Sequence, residues 1–275
     1  MRSQVESGAE LFARLNGKPS LRGLDDTLFL EGPGNTDTIE INGEHSTGKT
    51  LLLSRLVAKC ILPDYNGTVR IKGCSASVVL INTDHHFQVS QLIEIMTNIV
   101  NVAYATPFTF DTINSDIDKI NAVRNSLRNL RIIDCYSSEQ FRLTLRTLDD
   151  LFLSNAGIAL LAIDSITAYY WQDRENCVIS IDSYVSKLLR LVKMHTNRFN
   201  VTTIYTKLPA SVDNCKGKQL MANHSANTIE YKIHLRKIHG SQNFTCILET
   251  GQSSKRMRYS ILSSGIKWLA DQGEG

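Results

Sequence analysis

Eight consecutive residues, Gly43-Glu44-His45-Ser46-Thr47-Gly48-Lys49-Thr50, fit the pattern G-x-x-x-x-G-K-[ST]. Residues of these types at this spacing hold phosphate. The glycines let the backbone curl so that successive N–H groups point inward around an anion. Lys49 would reach the terminal phosphates, and the Thr50 hydroxyl is a ligand type suited to Mg²⁺. Such a loop calls for an acid closing an apolar strand elsewhere, to hold the magnesium water shell. Ile158–Ile163 followed by Asp164 supplies one. A third group, Asn82-Thr83-Asp84, ends another apolar run. Asp84 is placed to orient and deprotonate water near a terminal phosphate, although it is one methylene shorter than glutamate. A plain turn residue is the competing reading. His85 and His86 beside it do not make a metal site, because no third and fourth ligand stand at useful spacing.

These residues need strands and helices to bring them together. Thr38–Asn42 reads as a strand, and Lys49–Cys60 as a helix with apolar residues at helical spacing. Ser77–Asn82, Arg131–Tyr136, Ile158–Ile163 and Val201–Thr206 read as further strands. Gln88–Val100, Ser138–Leu153 and Ile181–Arg198 read as the helices between them. Continuous apolar strands alternating with helices predict a mainly parallel α/β sheet covered on both faces. The strand ending in Asp164 is expected beside the first, so that both motifs reach one sheet edge. Residues 104–130 interrupt the rhythm and read as an insertion with one helix, Asp116–Leu130. After Ala226, strands at Thr228–Ile238, Phe244–Glu249 and Arg256–Ile261 leave no room for helices. Gly240-Ser241 suits a hairpin turn, so an antiparallel C-terminal extension is expected. The first 37 residues form an arm and linker, with a short amphipathic helix at 6–15, and residues 38–275 form the domain.

Composition narrows the class. Of 275 residues, 42% are hydrophobic, enough for a packed core and too many for a disordered chain. Six cysteines are scattered singly with no C-x-x-C pair, which argues against a disulfide framework or a structural zinc. The N-terminus is polar and no apolar run reaches the length of a membrane span, so neither secretion nor insertion is expected. The net charge of +3 conceals an asymmetry. Residues 1–186 carry 16 Lys/Arg against 22 Asp/Glu, and residues 187–275 carry 14 against 5. A basic half of this kind marks either a nucleic-acid face or a surface matched to an acidic partner.

The chain resembles the RecA/eukaryotic strand-exchange recombinase superfamily, and within it the recombinase paralogues of homologous-recombination repair. The resemblance is carried, in order, by ESGAELFARL (6–15), GEHSTGKT (43–50), VAKCILP (57–63), VVLINTDHHF (78–87), LLAIDSITAYYW (160–171), SANTIEYKIHLRK (225–237) and ILSSGI (261–266). It implies a RecA-like P-loop ATPase core that binds ATP and Mg²⁺ through Gly43–Thr50, with Asp164 in the magnesium shell. Active recombinases have glutamate where this chain has Asp84, which implies at most weak hydrolysis. They also have a phosphate-sensing glutamine where this chain has Leu208, and an apolar side chain cannot hydrogen-bond phosphate.

The family's two DNA-facing loops correspond to about 172–180, with Arg174, and 209–227, with Lys216 and Lys218. The second loop has no aromatic residue to stack on bases, so contact with DNA is expected to be weak and salt-sensitive. The helix-hairpin-helix module of full recombinases does not fit in the first 37 residues, and Phe12-Ala13 lacks the spacing of the filament hook. The resemblance therefore implies a nuclear, non-filament-forming subunit, bound directly to the D-type paralogue and joined to the B- and C-types. Such a subunit helps load or stabilise the recombinase on single-stranded or branched DNA at breaks and stalled forks. An autonomous DNA-dependent ATPase is the alternative. A small-molecule kinase would need an arginine-bearing lid, whereas Arg124, Arg128 and Arg131 fall on an expected helix and at a strand start, and a GTPase would need an N-K-x-D motif that the sequence does not contain.

Overall fold

The computed structural model describes residues 7–8, 17–105, 115–174, 179–208, 229–238, 240–251 and 253–269. The expected helix at 6–15, apart from residues 7–8, and Phe12-Ala13, Lys216 and Lys218 lie outside the described residues.

β1 (Thr38–Gly43) runs into the glycine loop and α1 (Lys49–Ile61). A two-residue hairpin, β2 (Tyr65–Asn66) with β3 (Val69–Arg70), precedes β4 (Ser77–Asn82) and α2 (Val89–Tyr104). Next come α3 (Ser115–Ser126), a 3-10 turn at Leu127–Asn129 and β5 (Leu130–Asp134). α4 (Ser138–Arg146) and α5 (Leu148–Ser154) lead to β6 (Ile158–Asp164), followed by α6 (Tyr170–Arg174) and α7 (Ile181–Thr196). The remaining strands are β7 (Thr202–Lys207), β8 (Tyr231–Lys237), β9 (Asn243–Thr250), β10 (Ser253–Leu262) and β11 (Gly265–Leu269). They make one nine-stranded sheet in the order β11-β10-β9-β8-β1-β7-β6-β4-β5. From β8 to β5 every neighbouring pair is parallel, and from β8 to β11 every pair is antiparallel. This is the anticipated α/β class: a mainly parallel central sheet with an antiparallel C-terminal extension.

β4 and β6 are buried at every position, as their unbroken apolar sequences require of strands covered on both faces. One apolar cluster joins α1 and α2 to that face of the sheet, including Ile233, Leu235, Cys246, Met257, Tyr259 and Ile266 of the extension. The other packs α4, α5 and α7 against the opposite face of β4, β6 and β7. The isolated apolar residues of the leading stretch dock on the first cluster: Leu21, Leu24, Leu28 and Phe29 are buried there. Asp25 fastens them. Its carboxylate, 1% exposed, accepts from the amides of Thr27 and Leu28, pairs with Arg55 of α1 at 3.0 Å and meets the Trp268 indole of β11 at 3.4 Å.

Four expectations need correction. β7 lies between β1 and β6, so the Asp164 strand is not adjacent to the first strand. The single helix expected over 138–153 breaks at Thr147, whose hydroxyl bonds the Thr144 carbonyl and competes with the helical backbone. The helix expected to run to Leu130 stops earlier, because Leu130 opens β5. β11 was not anticipated; it pairs with β10 across a short turn and carries Trp268 and Ile266 into the core. Gly240, at φ +75°, does turn the chain between β8 and β9.

Candidate nucleotide site

The loop after β1 is shaped by what its glycines exclude. A Cβ on Gly43 would stand 2.7 Å from both the Leu235 carbonyl and the Thr47 hydroxyl. Gly48 is left-handed at φ +84°, and Ser46 at φ +60° takes the same region, so the backbone curls twice within three residues. Within the turn, Thr47 donates to the Glu44 carbonyl at 2.9 Å. α1 then starts with no side-chain cap and no acid in its first turn. Its leading amides are open donors at the positive end of a 13-residue helix.

Lys49 folds back to donate to the carbonyls of Gly43 and Glu44, each at 2.8 Å. Burial holds its ammonium below the ordinary lysine range, while Asp164 and Asp84 act in the opposite direction. Asp164, only 2% exposed, is raised above the usual carboxylate range by burial. The Thr206 and Thr50 hydroxyls and His86 oppose that shift, and Asp84 adds to it. Thr206 donates to Asp164 Oδ1, whereas Oδ2 has no hydrogen-bond partner in the protein. A buried carboxylate oxygen without a partner is costly unless something else occupies it.

β4 delivers the third group. The amides of Thr83 and Asp84 donate to the Asp164 carbonyl at 2.8 and 3.1 Å, so the two strand ends are stitched together. A cavity of about 410 Å³ is lined by His45, Ser46, Gly48, Lys49, Thr50, Asp84 and Asp164. His86, Gln91, Thr206, Leu208 and Ile261 are also in its wall. The structure therefore brings the loop, Asp84, Asp164 and Leu208 to one place despite the strand between β1 and β6. That strand, β7, contributes Thr206, which sequence reasoning placed only as the last residue of an apolar run.

The extension also reaches this site, which the sequence reading did not foresee. The buried Tyr259 hydroxyl of β10 donates to the Thr47 carbonyl at 2.6 Å. Two residues on, Ile261 stands 3.1 Å from where a Gly48 Cβ would be. The alternation of Met257, Tyr259 and Ile261 along one strand face was the available signal. Arg174 is elsewhere: its guanidinium lies 5.3 Å from the centre of the exposed Trp171 ring, on α6. α6 is tied down by Asp173, which accepts from Ser138 and Arg142 at 2.7 Å and from Tyr184 at 3.0 Å.

The residues present fit a nucleoside triphosphate with Mg²⁺. The open α1 amides and the loop curled through Ser46 and Gly48 suit phosphate, and the unpartnered Asp164 oxygen beside Thr50 suits a hydrated dication.

The Rad51 family model matches residues 21–268. DNA repair protein XRCC2 of Mus musculus is 28% identical over 273 residues, covering 96% of this chain and 91% of the mouse protein. The DNA repair protein XRCC2 homolog of Arabidopsis thaliana is 22% identical over 291 residues, covering 86% of this chain and 76% of that protein.

Proposed function

The chain belongs to the Rad51 family, and from that premise we propose that it is a non-filament-forming recombinase paralogue of DNA repair that binds ATP and Mg²⁺ through the site above. It works in the nucleus, in a heteromer with other paralogues and directly with the D-type one, and helps load or stabilise the recombinase on single-stranded or branched DNA. The relatives' description as DNA repair proteins supports the process. The observation that carries the nucleotide part is the meeting of the Gly43–Thr50 loop with the half-satisfied carboxylate of Asp164.

In this reading Gly43, Glu44, His45, Ser46, Thr47 and Gly48 present amides to the phosphates, and Lys49 leaves its loop carbonyls to bind them. Thr50 and Asp164 hold the metal, which supplies charge neutralisation at the phosphates. Asp84 faces the same cavity and is the group available to position water; its short side chain and the apolar Leu208 favour slow or absent turnover. Arg174, Lys216 and Lys218 remain the loop residues proposed to meet DNA. Residues 1–37 act as an arm, fastened through Asp25, on an ATPase-fold domain of 38–275.

Asp84 also keeps a second reading in play, an autonomous DNA-dependent ATPase. Isolating tagged protein from its native source and measuring co-purifying chains and ATP turnover separates the two. The proposal expects paralogues to co-purify, with turnover near background. A monomer whose DNA-stimulated turnover vanishes on Lys49→Ala would replace it with the second reading.

A further inference from the structure

Among the described residues, the antiparallel extension has one face in the core and the other outside both apolar clusters. Ile233, Leu235, Cys246, Leu248, Met257, Tyr259 and Ile266 point into the first apolar cluster, and the cluster on the opposite face includes no residue of β8–β11. The aromatic side chains follow the same division: on the inner side Tyr259 stacks on Phe244 and meets Trp268 edge to face.

The outer face is basic in a regular way. Arg236 of β8, Thr245 of β9 and Arg258 of β10 stand in one cross-strand row. Arg256 is two residues along β10, opposite Ile247, and Lys267 of β11 pairs with Ser260. Arg236, Arg256, Arg258 and Lys267 are exposed. Among the described residues none of these four makes an ion pair, whereas Arg55, Arg70, Arg142 and Arg198 all do. The acid on this face, Glu249, stands opposite Lys232 and meets His234 at 3.4 Å. Thr245 is only 4% exposed although it lies on the open side; both of its register partners are arginines, whose stems can cover it.

We propose that this outer face, centred on Arg256, Arg258, Arg236 and Lys267, binds the phosphate backbone of DNA. Unpaired guanidinium groups match phosphate in forked geometry, and Ser260 and Asn243 beside them offer neutral donors. Same-face residues two apart on a strand are separated by about 6.8 Å. That equals the axial rise of two nucleotides at about 3.4 Å each. Among the described residues the face holds no aromatic side chain, so it neither stacks on bases nor offers the buried anchors of a protein interface. The contact is therefore sequence-independent and strongly salt-dependent. It uses none of Arg174, Lys216 or Lys218.

The inference rests on the proposed role at DNA for its occupant and adds the surface. The full chain is titrated with a fluorescent 40-nucleotide oligo-dT, and separately with a 40-base-pair duplex, over a range of salt and without nucleotide. Arg256→Ala/Arg258→Ala should bind at least about tenfold more weakly, with the log–log salt slope reduced by about two. Lys267→Ala should reduce the slope by about one. A control removing equal charge from α3 and the 3-10 turn after it, Arg124→Ala/Arg128→Ala, should bind within about twofold of wild type, and unchanged melting temperatures should show that the variants fold. An unchanged slope in both extension variants overturns the proposal. So does a double variant that binds DNA normally but loses poly-glutamate, which would reassign the face to an acidic protein. Because no nucleotide is present, failure here is distinct from failure of the Lys49 site.

Discussion

The Thr206 hydroxyl donates to one oxygen of Asp164 and leaves the other buried without a partner. The pair spans β7 and β6, the two strands that separate the glycine loop from Asp84. The site is thus arranged at a cost to the ligand-free protein, and that cost is measurable.

Asp164→Asn should stabilise the ligand-free chain at neutral pH, because the amide keeps an acceptor for Thr206 and removes a buried charge. Burial raises the Asp164 pKa in the folded state. Its ionised form therefore lowers stability above that pKa, and the penalty fades as pH falls through it toward the unfolded value. The melting-temperature gain of the variant over wild type should shrink on acidification. The same variant should lose the Mg²⁺-dependent part of nucleotide affinity. A variant less stable than wild type at neutral pH would refute the claim that the carboxylate is held at a cost.

Gly43→Ala should destabilise the fold by about 1–3 kcal/mol, since its Cβ would collide with backbone and hydroxyl oxygens at 2.7 Å. Gly251→Ala, whose Cβ would meet nothing within 4 Å, should stay within about 0.5 kcal/mol of wild type. Urea denaturation of the two variants makes the comparison.

Tyr259→Phe removes a buried hydrogen bond to the Thr47 carbonyl at 2.6 Å. A loss of about 1–3 kcal/mol is expected from the unsatisfied carbonyl. Nucleotide affinity should fall with it, because the extension no longer holds the loop. Stability lost without any change in nucleotide affinity would mean that β10 supports the fold but not the site.

Asp25→Ala breaks the clamp between the leading stretch, α1 and β11 and leaves the Arg55 guanidinium without its 3.0 Å partner. About 3 kcal/mol should be lost, somewhat less to the extent that Arg55 reaches solvent. Limited proteolysis should then cut first within residues 17–30. Unaltered protection there would show that Leu21, Leu24 and Leu28 hold the stretch unaided.

Much of this architecture is legible in the sequence because the relevant signals are local. The Gly43–Thr50 spacing, the apolar run ending at Asp164 and the strand Ser77–Asn82 each declare themselves within ten residues. The position of β7 between β1 and β6 is a pairing choice that no local pattern records, and with it the part played by Thr206 is hidden. Tyr259 and Ile261 belong to a strand whose alternation could be read, but its partner, the loop more than 200 residues earlier, could not. Asp25 looked like linker because its neighbours Gly23, Gly32 and Pro33 are turn residues. Only the fold shows that one carboxylate joins it to Arg55 and Trp268. The charge split was visible from composition; the placing of Arg236, Arg256, Arg258 and Lys267 on one sheet face depended on the cross-strand register of β8 to β11.

The central claim is that the loop and Asp164 together hold a nucleotide, and an equilibrium titration with a fluorescent ATP analogue tests it most directly. Wild type should bind with an affinity that rises on adding Mg²⁺. Lys49→Ala should lose at least about tenfold, the scale of a charge-assisted phosphate contact of about 1.5–3 kcal/mol. If wild type and Lys49→Ala bind alike, with or without Mg²⁺, the loop is not a nucleotide site and the account fails.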